Sequence, residues 1–167
     1  MANLKPKPRA STGIPAADSL WLPPHYGIEI KRKGGLDKAV FWDVGDVVDF
    51  VFPRRYQPVY HQVSSDFVRL VLEKDWVTKK EIAEFLIQRG YSKSTLENKV
   101  IPKLVRFGML KREREIKGGL GKGRALILSD SMTFANYLER VAFAWNMLVS
   151  TSRKKEKGDS GGATKPP

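Results

Sequence analysis

YSKSTLENKVIPKLVRFGML, residues Tyr91–Leu110, decides how the chain is read. Leu96, Val100, Leu104 and Phe107 recur at helical spacing and predict a helix that hides one face. Ser92 stands where an N-cap residue would accept a backbone N–H, and Gly108 where a residue of positive φ would stop the helix. The polar face carries Thr95, Asn98, Lys99 and Arg106. Pro102 is an irregularity: inside a helix it removes one backbone donor and is expected to bend the axis.

The flanks are ordered by the same signals. Upstream, TKKEIAEFLIQRGY opens with Thr78, has Glu81 three residues on and closes at Gly90. This predicts a capping box and a helix burying Ile82, Phe85 and Leu86. Before it, SSDFVRLVLEKD spaces Phe67, Leu70 and Val71 for another helix, with Ser64 or Ser65 as its N-cap. Downstream, MLKREREIKGGLGKGRALILSD holds two strand-like runs joined by a glycine-rich turn, a hairpin carrying Arg112, Arg114, Lys117, Lys122 and Arg124. SMTFANYLERVAFAWNMLVS then predicts a long helix over 131–151, in which Phe134, Leu138, Val141, Trp145 and Leu148 step by four and three.

The N-terminal third reads differently. YGIEIKRKGGLDKAVFWDV suggests two short strands around Gly34-Gly35, since Ile28 and Ile30 alternate with charges and Val40, Phe41 and Trp42 supply β-favouring bulk. Pro53 and Pro58 suggest an extended run into the next helix. Residues 20–63 are therefore expected to be a small β-rich extension. Residues 1–19 and 152–167, rich in proline, lysine, glycine and serine, read as a flexible basic arm and a disordered basic tail.

Composition excludes much chemistry. The 167 residues contain no cysteine, which removes disulfides, thiolate metal sites and thiol nucleophiles. His25 and His61 are far apart without a ligand-spaced partner, so no metal and no cofactor is expected. Asp43, Asp46 and Asp49 recur every three residues but lack a histidine or basic partner, and read as a solvated edge rather than a catalytic set. GGLGKG lies between two strands and ends in Arg124, so it is not a nucleotide-binding Walker loop. An enzyme is not expected. No apolar run is long enough to span a bilayer and the N-terminus is too polar for a secretory signal, so the expectation is a cytoplasmic protein without membrane contact. Three glutamines, four asparagines and no cysteine fit a thermophile, and with it an archaeal source.

Charge points to a polyanion. The formal net charge is +12, and residues 91–130 hold ten Lys and Arg against four Asp and Glu, half of the whole surplus. Short helices with a basic third member, a tight turn before it and a basic hairpin after it resemble the winged helix-turn-helix family. The resemblance covers residues 64–130. It implies an α+β, mainly helical fold: a winged helix-turn-helix domain with a β-rich N-terminal extension and a long C-terminal helix.

It also implies duplex DNA as partner, because a helix fits the major groove and its first turn reaches base edges. Lys93, Ser94, Thr95, Asn98, Lys99, Lys103 and Arg106 would then contact bases or backbone. Arg112, Arg114, Lys117, Lys122 and Arg124 would form a wing on the adjacent backbone or minor groove. Capping is the alternative role for Ser94 and Thr95, plain solvation for Asn98, and a simple charged turn for the wing. The terminal helix is apolar on more than one face, so either a second copy or residues 20–60 should cover it. The expected function is a dimeric, sequence-selective transcriptional regulator. Two alternatives are a less selective DNA-binding factor in replication, partition or chromatin, and a winged-helix protein-interaction module.

Overall fold

The computed structural model describes residues 19–37, 39–74, 76–114 and 126–159. Residues 1–18 of the expected basic arm (1–19), the wing tip with Lys117, Lys122 and Arg124, and residues 160–167 lie outside them. The fold is α+β and mostly helical, with one small antiparallel sheet. Two short helices, α1 (Ile28–Arg32) and α2 (Val44–Val48), precede α3 (Pro58–Lys74), β1 (Trp76–Val77) and α4 (Lys79–Arg89). A composite helix follows: α5 (Lys93–Thr95), a π-helical turn (Leu96–Val100) and α6 (Ile101–Arg106). Then come β2 (Leu110–Arg114), β3 (Leu126–Asp130) and α7 (Thr133–Asp159). The sheet order is β1-β3-β2, with Val77 opposite Leu128 and Arg112 opposite the same residue on the other edge.

The β-rich extension is corrected: residues 20–57 contain helices and turns among the described residues, and no strand. Ile28 and Ile30 do not share a sheet face. On helix α1 an i, i+2 pair points to different sides, so Ile30 is 3% exposed and Ile28 59%. Gly34 and Gly35, with φ of 83° and 71°, end that helix instead of turning a hairpin. Gly34 N–H donates to Lys31 O and Gly35 N–H to Ile30 O, the paired bonds of a Schellman C-cap. Helix α2 starts at Asp43, whose side chain takes the Asp46 N–H while Asp46 accepts the Asp43 N–H. Asp46 and Asp49 are not merely solvated, because each lies 3.1 Å from Nζ of the half-buried Lys33. That ammonium also sits over the stacked rings of Trp42 and Phe50.

Helix α3 begins at Pro58, whose fixed φ suits a first turn. Ser64 and Ser65 are therefore buried in mid-helix and cap nothing; the Ser64 hydroxyl donates to the Tyr60 and His61 carbonyls. His61, 4% exposed, donates from Nε2 to Gly45 O and fastens α3 to α2. Burial holds its pKa below the ordinary histidine value despite that bond.

From Thr78 the chain follows its signals. Thr78 and Glu81 form the capping box and Gly90, at φ 67°, closes α4. Lys74 and Thr78 hold Glu81 far down the carboxylate range, to about 2. Leu96, Val100 and Leu104 are fully buried with Phe67, Val71, Val77 and Phe52 in one core. The π turn pairs Ile101 N–H with Leu96 O, and Pro102 enters at the start of α6, where a missing N–H is tolerated.

Helix α7 reaches Asp159, which corrects the expected tail over 152–159. In sequence, Lys, Arg and Glu, which abound in this stretch, are good helix formers. No described helix is long and apolar enough to cross a membrane.

Candidate nucleic-acid interface

The polar face of the composite helix is set by its cap. Ser92 takes the Thr95 N–H, so the helix starts with Lys93, Ser94 and Thr95 in its first turn. Its entry is fixed from the other side by Tyr91, whose hydroxyl meets Asp66 on α3. Burial works to raise the Asp66 pKa, but hydrogen bonds from Tyr91 and Gln62 and the nearby Arg89 and Arg69 outweigh it and lower it. A buried carboxylate thus sits under the turn that presents the helix.

Lys93, Ser94, Asn98, Lys99 and Arg106 are exposed and Thr95 is half-buried. Lys93, Ser94 and Asn98 have partners on the helix itself. Asn98 Nδ2 donates to Ser94 Oγ at 3.2 Å, and Lys93 Nζ lies 3.9 Å from Glu97. Both are exposed interactions within one helix turn, so a nucleic acid could exchange them at little cost.

Lys103 is corrected: it is 8% exposed and does not belong to the solvent face. Its Nζ lies 5.0 Å from the Phe52 ring centroid and 6.0 Å from that of Phe107. Burial pushes its pKa below the ordinary lysine value.

Two grooves flank the helix. On the sheet side, a groove of about 470 Å³ brings Lys79, Lys93 and Arg112 together with Glu97 over a floor that includes Ile82, Leu86 and Ile101. On the other side, a cleft of about 280 Å³ is lined by Phe52, Gln57, Tyr60, Asn98, Lys99, Pro102, Lys103 and Arg106. The expected site residues are therefore divided between the two sides of one helix. Arg112 and Arg114 are exposed on β2, where Lys111 and Glu113 pair at 2.7 Å.

Lys79 went unread in the sequence although it carried a signal. The first turn of a helix favours acids, yet α4 opens Thr-Lys-Lys. Gln57 and Tyr60 had no such signal, because their place beside the helix depends on how residues 52–60 fold back. Among the described residues no group of three acidic or histidine side chains is arranged to hold a metal.

Comparison with protein-family models, with curated proteins and with solved structures finds no match.

Proposed function

We propose that this protein binds duplex DNA as a dimeric, sequence-selective regulator of the winged helix-turn-helix type. One observation carries the reading: the composite helix of residues 93–106 presents Lys93, Ser94, Asn98, Lys99 and Arg106 to solvent beside a strand that presents Arg112. The order helix, strand, helix, helix, strand, strand agrees with that architecture. Lys79, Lys93 and Arg112 supply cations for phosphates, while Asn98 suits an adenine edge.

Glu97 favours the selective reading over a backbone-only one. A carboxylate on this face repels phosphate, yet it can accept a hydrogen bond from cytosine N4. Dimerisation would use α7, where Leu138, Val141, Trp145 and Leu148 are 40–66% exposed and neither residues 20–60 nor the core cover them. Their spacing of three and four forms a seam that a like helix fits. Two half-sites about 34 Å apart follow from that symmetry.

The test is fluorescence anisotropy on random duplex and on a duplex from the region upstream of the protein's own gene, over several salt concentrations. A preference of about a thousandfold or more for one sequence supports the regulator. Equal binding that falls steeply with salt supports the less selective factor. No binding to either duplex at low salt leaves the protein-interaction module.

A further inference from the structure

Beyond its first turn, helix α7 has no cover among the described residues. From Asn136 to Leu148 every residue is exposed, the large apolar ones included. Leu138, Val141, Trp145 and Leu148 step by three, four and three, a series that reads the same from either end. The residue types follow it: leucine stands at both ends, and the middle holds the smallest and the largest of the four, Val141 and Trp145. Such a seam fits its own reversed copy. With two helices laid antiparallel about the level of residue 143, Leu138 meets Leu148 and Val141 meets Trp145, and a two-fold axis repeats each pair.

Three features favour this direction over a parallel one. A parallel pair would set Trp145 against Trp145 and Val141 against Val141, one layer overfilled and the next thin, whereas reversal joins large to small in both central layers. A parallel pair would also lay two copies of the basic run SRKKEK, residues 152–157, side by side, and reversal sends them to opposite ends. Finally, the positions flanking the seam, Ala135, Tyr137, Ala142, Ala144, Val149 and Thr151, carry no charge. No ion pair across the seam therefore imposes a parallel order.

We propose that α7 pairs antiparallel with α7 of a second copy, in the register that sets Leu138 on Leu148 and Val141 on Trp145. This rests on the self-association proposed above and adds the direction of the partner. The two seams with the adjoining Tyr137 would withdraw on the order of 1,200 Å² from water, the lower end of what stable complexes bury. The register also sets the span of the dimer. Thr133 of one copy comes level with Arg153 of the other, so the two points at which α7 joins its body stand about 20 residues, or about 30 Å, apart along the pair. That is close to the spacing of about 34 Å between DNA half-sites one turn apart. A parallel pair would start both helices about 8–10 Å apart and crowd bodies with a radius of gyration of about 13 Å.

The chain has no cysteine, so single cysteines report the direction without background. Leu138→Cys and Leu148→Cys in the full chain are oxidised mildly, each alone and then mixed in equal amounts after subunit exchange, with light scattering on the parent. A disulfide needs Cα atoms within about 7 Å. In the proposed register, position 138 of one copy lies about 15 Å along the axis from position 138 of the other, so neither variant should crosslink alone. The mixture should crosslink in about half of its chains, the share that random pairing brings together. Phe143→Cys, on the far side of the helix, is the control and should stay uncrosslinked. Crosslinking of Leu138→Cys alone shows a parallel pair, which overturns the inference and leaves the dimer standing. A dimeric parent with no disulfide in the mixture overturns it too, because the copies then meet elsewhere. Crosslinking of the control to the same extent as the mixture shows random collision only and overturns it as well. A monomeric parent overturns the inference and the self-association together.

Discussion

The Tyr91 hydroxyl donates a 2.6 Å hydrogen bond to Asp66 Oδ2, joining the residue before the helix cap to the middle of α3. Tyr91→Phe removes that bond and leaves Asp66 with Gln62 and Arg69. The expected loss is about 1.5–3 kcal/mol, as for hydrogen bonds to charged groups. Because the folded pKa of Asp66 is lowered, its contribution is complete above the unfolded value of 3.8 and vanishes as pH falls through the folded one. Urea unfolding of both proteins at pH 7 and in strong acid should show the difference shrinking. A constant difference would mean that the ring and its packing matter, not the bond.

His61 gives a second pH dependence. Its pKa is lowered by burial, so below the unfolded value of 6.5 the unfolded chain binds a proton that the native one refuses. Stability should therefore fall as pH drops below 6.5 towards the folded pKa. Ring resonances of His61 followed by NMR should titrate below 6.5. A midpoint above 6.5 would show that Asp49, 3.8 Å away, holds the imidazolium instead.

Substitutions on the exposed face separate positioning from reading. Lys93→Ala should weaken binding to every duplex and reduce the salt slope by about one. Asn98→Ala should cost about 1–3 kcal/mol on the preferred sequence and little on others. Anisotropy on both duplexes measures each effect. Identical profiles for the two variants would remove Asn98 from base readout.

Trp145→Glu tests self-association through α7. Trp145 is 66% exposed, so the change leaves the core intact. Light scattering should report monomer for the variant and dimer for the parent, with unchanged near-ultraviolet signals from Trp21 and Trp42. A parent that is already monomeric defeats the dimer.

Pro102→Ala asks what holds the π turn. Leu96, Val100 and Leu104 are each four apart and all fully buried, a spacing that drifts on a regular α-helix and that one wider turn realigns. The turn should therefore survive the substitution, at a cost of about 0.4–1 kcal/mol from the freer unfolded chain. Scalar couplings across hydrogen bonds would show whether Ile101 still pairs with Leu96.

Residues 78–110 were legible because each boundary carried local chemistry: a capping box at Thr78, a cap at Ser92, glycines of positive φ at 90 and 108. Residues 20–57 were not, because a Gly-Gly pair serves a hairpin and a Schellman cap equally. In the fold, the neighbouring Lys33 reaches out of this segment to Asp46 and Asp49, a tertiary contact that no local pattern announces. Lys103 was misplaced by its chemistry. Its position on the stripe Leu96, Val100, Lys103, Phe107, stepping by four, three and four, already assigned it to the inner face. Its charge and its spacing point opposite ways, and the spacing prevails. The division of the site into two grooves needed the path of residues 52–60, which no local pattern encodes.

Gly108 has a mechanical consequence. Its carbonyl accepts the Phe134 N–H, and a Cβ there would come within 2.7 Å of Thr133, so α7 is seated against a residue with no side chain. The 27 residues beyond it make an arm about 40 Å long at 1.5 Å per residue. A rotation of about 10° at that seat carries the far end through about 7 Å, two base-pair steps of B-form DNA. In the proposed dimer, two such arms joined at their seams would act as calipers, with the tightness of the glycine seat governing how wide a range of gaps they span.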